Sequence, residues 1–233
     1  MQLRERYINP FTDFGFKKIF GEEANKDLLI DFLNSLLFET NKIVDLTFLK
    51  SEHLGATPTD RRAVFDLYCQ NERGEKFIVE LQKAKQTFFK DRSLYYSTFA
   101  IQEQAVAGEW NFELNAVFSV SIMDFVFDDQ KEHLDKFRHD VQLVEIETNK
   151  VFNHKLRFVY LEMPKFKKTE NELATNYDKW LYILKNLARL QDVPTELKEQ
   201  IFKKLFNVAE IALYNPQEIQ SYRDSMKYYR DMK

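Results

Sequence analysis

The sequence is poor in cysteine, glycine and proline, and these shortages exclude several kinds of protein. A single cysteine, Cys69, rules out an internal disulfide and a cysteine-rich zinc site. Five glycines and five prolines among 233 residues leave few tight turns, so helices and strands should dominate. With 44% hydrophobic and 30% charged residues, and with 22 phenylalanines, the composition is that of an ordinary globular protein with a large core.

Long apolar runs and a strong excess of one charge are also missing. The amino-terminal stretch MQLRERYINPFTDFGF has no apolar run of the kind found in signal peptides or membrane spans. We therefore expect a cytoplasmic protein without a membrane partner. The net charge of −3 argues against coating nucleic acid by bulk charge, but it is compatible with local phosphate contacts. The four histidines lack zinc-binding spacing, and no glycine-rich phosphate loop is present.

The hydrophobic pattern changes character near Pro164. Before it, alternating strand-like segments and helical stripes predict an α/β core over residues 1–163, with Asp13 as one candidate helix N-cap. After it, three helical segments over residues 169–233 predict a helical extension, the last beginning at Asn215. The sequence KFKKTE between the two parts is too short for a long linker, so we expect the extension to pack on the core.

A hairpin with a defined register is predicted from the turn sequence NERGE, residues 71–75. Asparagine favours the first position of a type I turn, and glycine favours the left-handed position that follows in a three-residue loop. In the resulting register Cys69 opposes Phe77 and Asp66 opposes Glu80. Directly opposed side chains share a sheet face, with Cβ atoms roughly 5 Å apart.

The opposition of Asp66 and Glu80 predicts a cation site. Opposed like charges destabilise a sheet, and both acids lie within apolar runs, VFDLY and IVELQ. A divalent cation removes that repulsion, and Mg²⁺ takes one or two carboxylates with water and phosphate oxygens. Gln82 shares the face of Glu80, because strand side chains alternate. The alternative is a solvated sheet face on which both acids are surface residues.

Several motifs, in order along nearly the whole chain, resemble the Rpn family of recombination-promoting nucleases and transposases, within the PD-(D/E)xK nuclease superfamily. The superfamily pattern places an Asp on one strand and Glu-x-Lys on the next, which corresponds here to Asp66 and to Glu80-Leu81-Gln82, with Gln in place of Lys. The other matching segments are NPFTDFGFKKIFG, NKDLLIDFLNSLL, VFDLYCQNERGEKFIVELQ, DRSLYYSTFAIQEQAVAGEWNFELNAVFSVSIMDF and ALYNPQEIQSYRDSMKYYRD.

The resemblance implies a restriction-endonuclease-like α/β fold, a mixed sheet flanked by helices, with the carboxy-terminal helical extension. It also implies a metal-dependent DNA endonuclease linked to recombination or mobile elements, with DNA as its partner. Asp66, Glu80 and the carbonyl of Leu81 would bind Mg²⁺, for which Mn²⁺ would substitute. The expected catalytic residues are Asp66, Glu80 and Gln82, the last without charge but able to hold a water by hydrogen bonds.

Two other interpretations stay open at this point. A protein that keeps the nuclease fold but lost useful catalysis, through Gln82, would act as a DNA-binding or interaction module. A transposition accessory protein would use residues 169–233 to form a homodimer. The basic residues that follow the hairpin are either a DNA-facing cluster or an ordinary solvated face; they are Lys83, Lys85, Lys90 and Arg92.

Overall fold

The computed structural model describes residues 5–37, 40–53, 63–127 and 135–232. The chain forms two compact units: a sheet unit, Val44–Glu162, and a helical unit, Met1–Ile43 with Met163–Lys233. In chain order, the helices are α1 (Asp13–Phe20), α2 (Lys26–Leu37), α3 (Phe89–Gln102), α4 (Asn176–Asn186), α5 (Gln200–Ala209) and α6 (Pro216–Asp231). The strands are β1 (Leu46–Phe48), β2 (Glu52–His53), β3 (Ala63–Val64), β4 (Leu67–Asn71), β5 (Lys76–Gln82), β6 (Val117–Met123), β7 (Arg138–Val144) and β8 (Val151–Glu162).

The sheet unit is built on a mixed six-stranded sheet with the order β1-β4-β5-β6-β8-β7. Strands β5, β6 and β8 run parallel, and the outer pairs are antiparallel. The expected α/β class and mixed sheet are confirmed. Every residue of β5 and β6 is buried, as expected for central parallel strands, which are covered on both faces.

Helix α3 connects β5 to β6 and packs on the sheet. A cluster of buried residues joins the helix to β4, β5 and β6; its members are Phe65, Tyr68, Ile78, Ala100 and Val117. Small residues of α3, Ser93 and Ser97, are buried as well, which lets the helix backbone approach the strands closely. The first turn of α3 lies beside the end of β5, because Arg92 in that turn donates to Gln82.

The turn between β4 and β5 has the predicted conformation. The amide of Asn71 donates to the Glu75 carbonyl (3.0 Å), and the Gly74 amide donates to the Asn71 carbonyl (3.0 Å). Gly74 has φ +78°, the left-handed conformation that glycine adopts without strain. The predicted pairing of Cys69 with Phe77 is confirmed.

The helical unit differs from the expected division, because residues 1–43 cluster with the carboxy-terminal helices and not with the strands. The reason is an aromatic centre in which the ring of Trp180 in α4 contacts Phe20, Phe32 and Phe202. The indole N–H of Trp180 also donates to Asp31 of α2 (2.6 Å). The apolar stripes of α1 and α2 are thus buried within this unit.

Helix caps were predicted with mixed success. The N-cap of α1 is Thr12, whose hydroxyl accepts from the Gly15 amide, so the expectation for Asp13 was wrong by one residue. Asp13 is the first helical residue and forms an ion pair with Lys17. Asn215 caps α6 as predicted, ahead of Pro216. Within the described ranges, no helix combines the length and the apolar character needed to cross a membrane.

Replacing Gly74 tests the turn that sets the hairpin register. Gly74→Ala places a Cβ 2.8 Å from the Asn115 side-chain nitrogen and forces an L-residue into the left-handed region. We expect a loss of about 1–2 kcal/mol in the free energy of unfolding, measured by urea titration. The control Arg73→Ala removes surface ion pairs with Glu72 and Glu75 and should cost less than about 1 kcal/mol. Equal losses in the two variants would contradict this account of the turn.

Candidate functional site

Asp66 and Glu80 meet at the end of the β4–β5 ladder. The last paired residues are Leu67 and Val79, so Asp66 and Glu80 stand one step further along the same register. The Asp66 amide donates to Oε1 of Glu80 (3.2 Å), and Oδ2 of Asp66 accepts from the Leu81 amide (2.7 Å). The structure therefore brings together the two acids that the turn sequence predicted to be neighbours.

The first strand of the predicted hairpin is interrupted at Asp66, between β3 and β4. Antiparallel ladder bonds recur every second residue, and continuing the register would pair the Leu81 amide with Phe65. Phe65 instead turns towards the preceding loop, where its amide donates to the Ser51 carbonyl (2.8 Å). The carboxylate of Asp66 replaces the Phe65 carbonyl as the acceptor of the Leu81 amide hydrogen bond. This break, which periodicity did not indicate, orients the Asp66 side chain along β5.

Glu80 is a buried acid, only 8% exposed. Burial, together with the nearby charge of Asp66, raises the pKa of Glu80 from its ordinary value of 4.5 to about 8. The charge of Arg92 and the hydrogen bond from the Asp66 amide act in the opposite direction, but more weakly. Without a further cation, the carboxyl of Glu80 thus favours its protonated form at neutral pH.

Arg92, the fourth residue of α3, completes the site, and the sequence analysis did not assign it a role. Its Nη2 donates to Oε1 of Gln82 and lies 3.9 Å from Oε2 of Glu80. Its Nη1 donates to Oε1 of Gln86 (2.6 Å). Gln82 in turn donates from Nε2 to the Ala84 carbonyl (2.8 Å). The only sequence signal for Arg92 was its membership of the basic run after the hairpin.

The other candidate residues of the sheet unit have varied surroundings. The Leu81 amide faces Asp66, and strand geometry directs the Leu81 carbonyl to the same side of β5. Lys83 and Lys85 follow the end of β5, with Lys85 exposed. The Lys90 ammonium lies 4.6 Å from the Phe127 ring centre. The basic run is therefore dispersed over different surroundings, and Arg92 is the member that contacts Gln82.

The donor set fits a small hard cation. Within the part of the chain that the structure describes, no group of three or more acidic, histidine or cysteine side chains could hold a metal ion. Mg²⁺, however, needs only one or two carboxylates when water and phosphate supply the remaining oxygens. Asp66 and Glu80 are such a pair, and Glu80 is buried, with Nη2 of Arg92 at 3.9 Å from its Oε2. A bound cation would relieve both the burial of charge and the repulsion between the acids.

The raised pKa of Glu80 predicts an unusual dependence of stability on pH in chelator. The folded state holds a proton between about pH 4.5 and 8 that the unfolded state has released, so the stability falls as the pH rises through this range. Glu80→Gln removes that proton uptake and keeps an oxygen for the Asp66 amide. The variant should melt at a higher temperature than the parent, with a larger difference at pH 8 than at pH 5. If the melting temperatures of variant and parent differed by the same amount at pH 5 and pH 8, Glu80 would not titrate as a buried acid.

Comparison with protein-family models matches residues 10–233 to the PD-(D/E)XK nuclease family transposase. The match spans nearly the whole chain, including both units and the Asp66–Glu80 hairpin, and it confirms the family resemblance found in the sequence motifs. Searches of curated proteins and of solved structures found no match. On the extent of the family match, the chain belongs to the PD-(D/E)XK nuclease family transposases.

Proposed function

We propose that this chain is a metal-dependent DNA endonuclease that hydrolyses phosphodiester bonds during recombination or the movement of mobile elements. Membership of a nuclease-type transposase family supports a nuclease-related function. The observation that carries the proposal is the placement of the buried Glu80 carboxyl directly against Asp66, at the break in β4. With both carboxyls ionised such an arrangement is costly, and a bound cation would offset that cost.

Asp66, Glu80 and the Leu81 carbonyl are the proposed ligands of Mg²⁺ or Mn²⁺. When bound, the ion supplies polarisation of the scissile phosphate and lowers the pKa of water at the site. The Leu81 amide holds the Asp66 carboxylate in one orientation, and the Asp66 amide does the same for Glu80. These two hydrogen bonds preorganise the pair, so little rearrangement is needed when the cation arrives.

The reaction joins a water oxygen to phosphorus and breaks the bond from phosphorus to the leaving sugar oxygen. One proton of the water is released during attack, and the leaving oxygen gains a proton, so atoms and charge balance. Gln82 contributes hydrogen bonds and no charge to this chemistry. Its side-chain oxygen and nitrogen are oriented by Arg92 and by the Ala84 carbonyl, respectively.

Removing the charge of either acid should abolish cleavage while keeping the fold. Asp66→Asn and Glu80→Gln each retain an oxygen that accepts the observed amide hydrogen bond, whereas alanine at position 66 would leave the Leu81 amide without its acceptor. With supercoiled plasmid, the parent should nick DNA in Mg²⁺ or Mn²⁺, but not in Ca²⁺, which is larger and takes more ligands, nor in excess chelator. Nicking at the parent rate by both variants would place the active site elsewhere.

A melting experiment separates an active nuclease from a nuclease-fold binding protein. Ion binding to the folded state should raise the parent melting temperature in Mg²⁺, and Glu80→Gln should lose that rise. Cleavage that accompanies the rise supports the endonuclease. A rise without cleavage would instead favour the binding or interaction module.

Substitution of Gln82 tests whether its hydrogen bonds serve catalysis. Gln82→Ala should lower the nicking rate by about 10²–10⁴-fold, the usual range for positioning or acid–base groups. Gln82→Leu keeps the approximate volume but makes no hydrogen bond, and it should lose as much as the alanine variant. Initial rates at saturating Mg²⁺ provide the measurement. Parent-like rates in both variants would make Gln82 a structural residue only.

A further inference from the structure

Arg92 is held beside the two acids by its own set of contacts. The guanidinium donates to Gln82 and to Gln86, and it lies 5.4 Å and 5.5 Å from the ring centres of Phe89 and Tyr96. The side chain keeps 28% exposure. Hydrogen bonds to described residues use two of the five N–H donors that a guanidinium carries. The group is thus fixed in place, yet still reaches solvent.

Helix stability does not explain an arginine at this position. Arg92 lies in the first turn of α3, near the positive end of the helix dipole, where cations are disfavoured. The arginine also lies 3.9 Å from Glu80, which is too far for a hydrogen bond and leaves the carboxyl only partly neutralised. Among the residues that orient it, Gln82 lies on β5, the strand that carries Glu80.

We propose that Arg92 is the cationic catalytic residue of this site and that Gln82 positions it. The inference rests on the proposed endonuclease function. The superfamily pattern has Lys two residues after the acid, where this chain has Gln82. Here the uncharged Gln82 uses its side-chain oxygen to hold a cation that comes from the neighbouring helix. The positive charge is kept at nearly the same place, but a different element carries it.

The chemistry of the guanidinium suits a phosphodiester. A phosphate oxygen drawn to a cation held by Glu80 would come close to Arg92, because Nη2 of Arg92 lies 3.9 Å from Oε2 of Glu80. Arginine stays protonated and offers several N–H groups in a plane, which matches phosphate oxygens. As water attacks phosphorus, negative charge grows on the non-bridging oxygens, and N–H donors aimed at them stabilise the transition state more than the ground state. In this assignment the hydrogen bond of Gln82 serves to position Arg92.

Moving the positive charge from Arg92 to position 82 tests whether Arg92 is the cationic residue of the site. Arg92→Gln should lower the nicking rate by about 10²–10³-fold, the range for removing one preorganised donor. The double variant Arg92→Gln with Gln82→Lys returns a cation to the strand position of the superfamily pattern. It should cleave faster than Arg92→Gln alone. The proposal would be overturned if Arg92→Gln cleaved DNA as fast as the parent and the double variant cleaved it no faster than Arg92→Gln.

Chemical rescue distinguishes a catalytic role of Arg92 from a purely structural one. Arg92→Ala leaves a space beside Gln82, and added guanidinium ion at concentrations below those that unfold the parent should restore cleavage several-fold. The matched control Arg73→Ala also removes an arginine of the sheet unit, one held by Glu72 and Glu75. It should cleave at the parent rate and show no response to guanidinium. Equal responses of the two variants would contradict a specific role for Arg92.

Binding of DNA in Ca²⁺ separates a failure of this inference from a failure of the proposed function. A phosphate contact by Arg92 implies that Arg92→Ala lowers the slope of log affinity against log salt by about 0.9 for a short duplex. An unchanged slope would show that Arg92 does not contact phosphate, whatever the parent cleaves. A lowered slope in a protein that shows no cleavage would sink the endonuclease function and leave Arg92 as a phosphate-binding residue.

Discussion

The burial of the Glu80 carboxyl beside Asp66 is the constraint on which the candidate site depends. Two acids in one low-dielectric position raise the pKa of Glu80, and either a proton on Glu80 or a nearby positive charge removes that cost. The rest of the site follows from this need. The break in β4 orients Asp66, the amides of Asp66 and Leu81 fix both carboxylates, and Arg92 approaches Glu80 from α3. We propose that a bound cation stabilises the resulting site.

The parts of the site that could be predicted from the sequence are those set by local interactions. Asn71 and Gly74 determine the turn within five residues, and the turn determines the register. The opposition of Asp66 and Glu80 then follows by counting along two strands. The α/β class was also predictable, because the strand segments and the helical segments have distinct apolar patterns, and the family resemblance implied the mixed sheet. The family motifs added the expected chemistry.

The features that sequence reasoning missed depend on contacts between distant parts of the chain. Arg92 reaches Gln82 only because α3 packs with its first turn beside the end of β5, an orientation that periodicity does not encode. The interruption at Asp66 arises because Phe65 pairs with Ser51 instead of Leu81. Residues 1–43 join the carboxy-terminal helices because Trp180 forms a common aromatic centre with Phe20 and Phe32. In each case tertiary packing selected among locally acceptable alternatives.

The central claim is that Asp66 and Glu80 together form a divalent cation site. The most direct measurement is a crystal structure of the protein grown with Mn²⁺, with data collected at a wavelength where manganese scatters anomalously. The account predicts an anomalous peak bound by oxygens of both carboxylates at about 2.0–2.2 Å, close to the Mg²⁺ distance. It also predicts that the peak disappears in Glu80→Gln. A strong peak at a different set of ligands, with none between these two side chains, would contradict it.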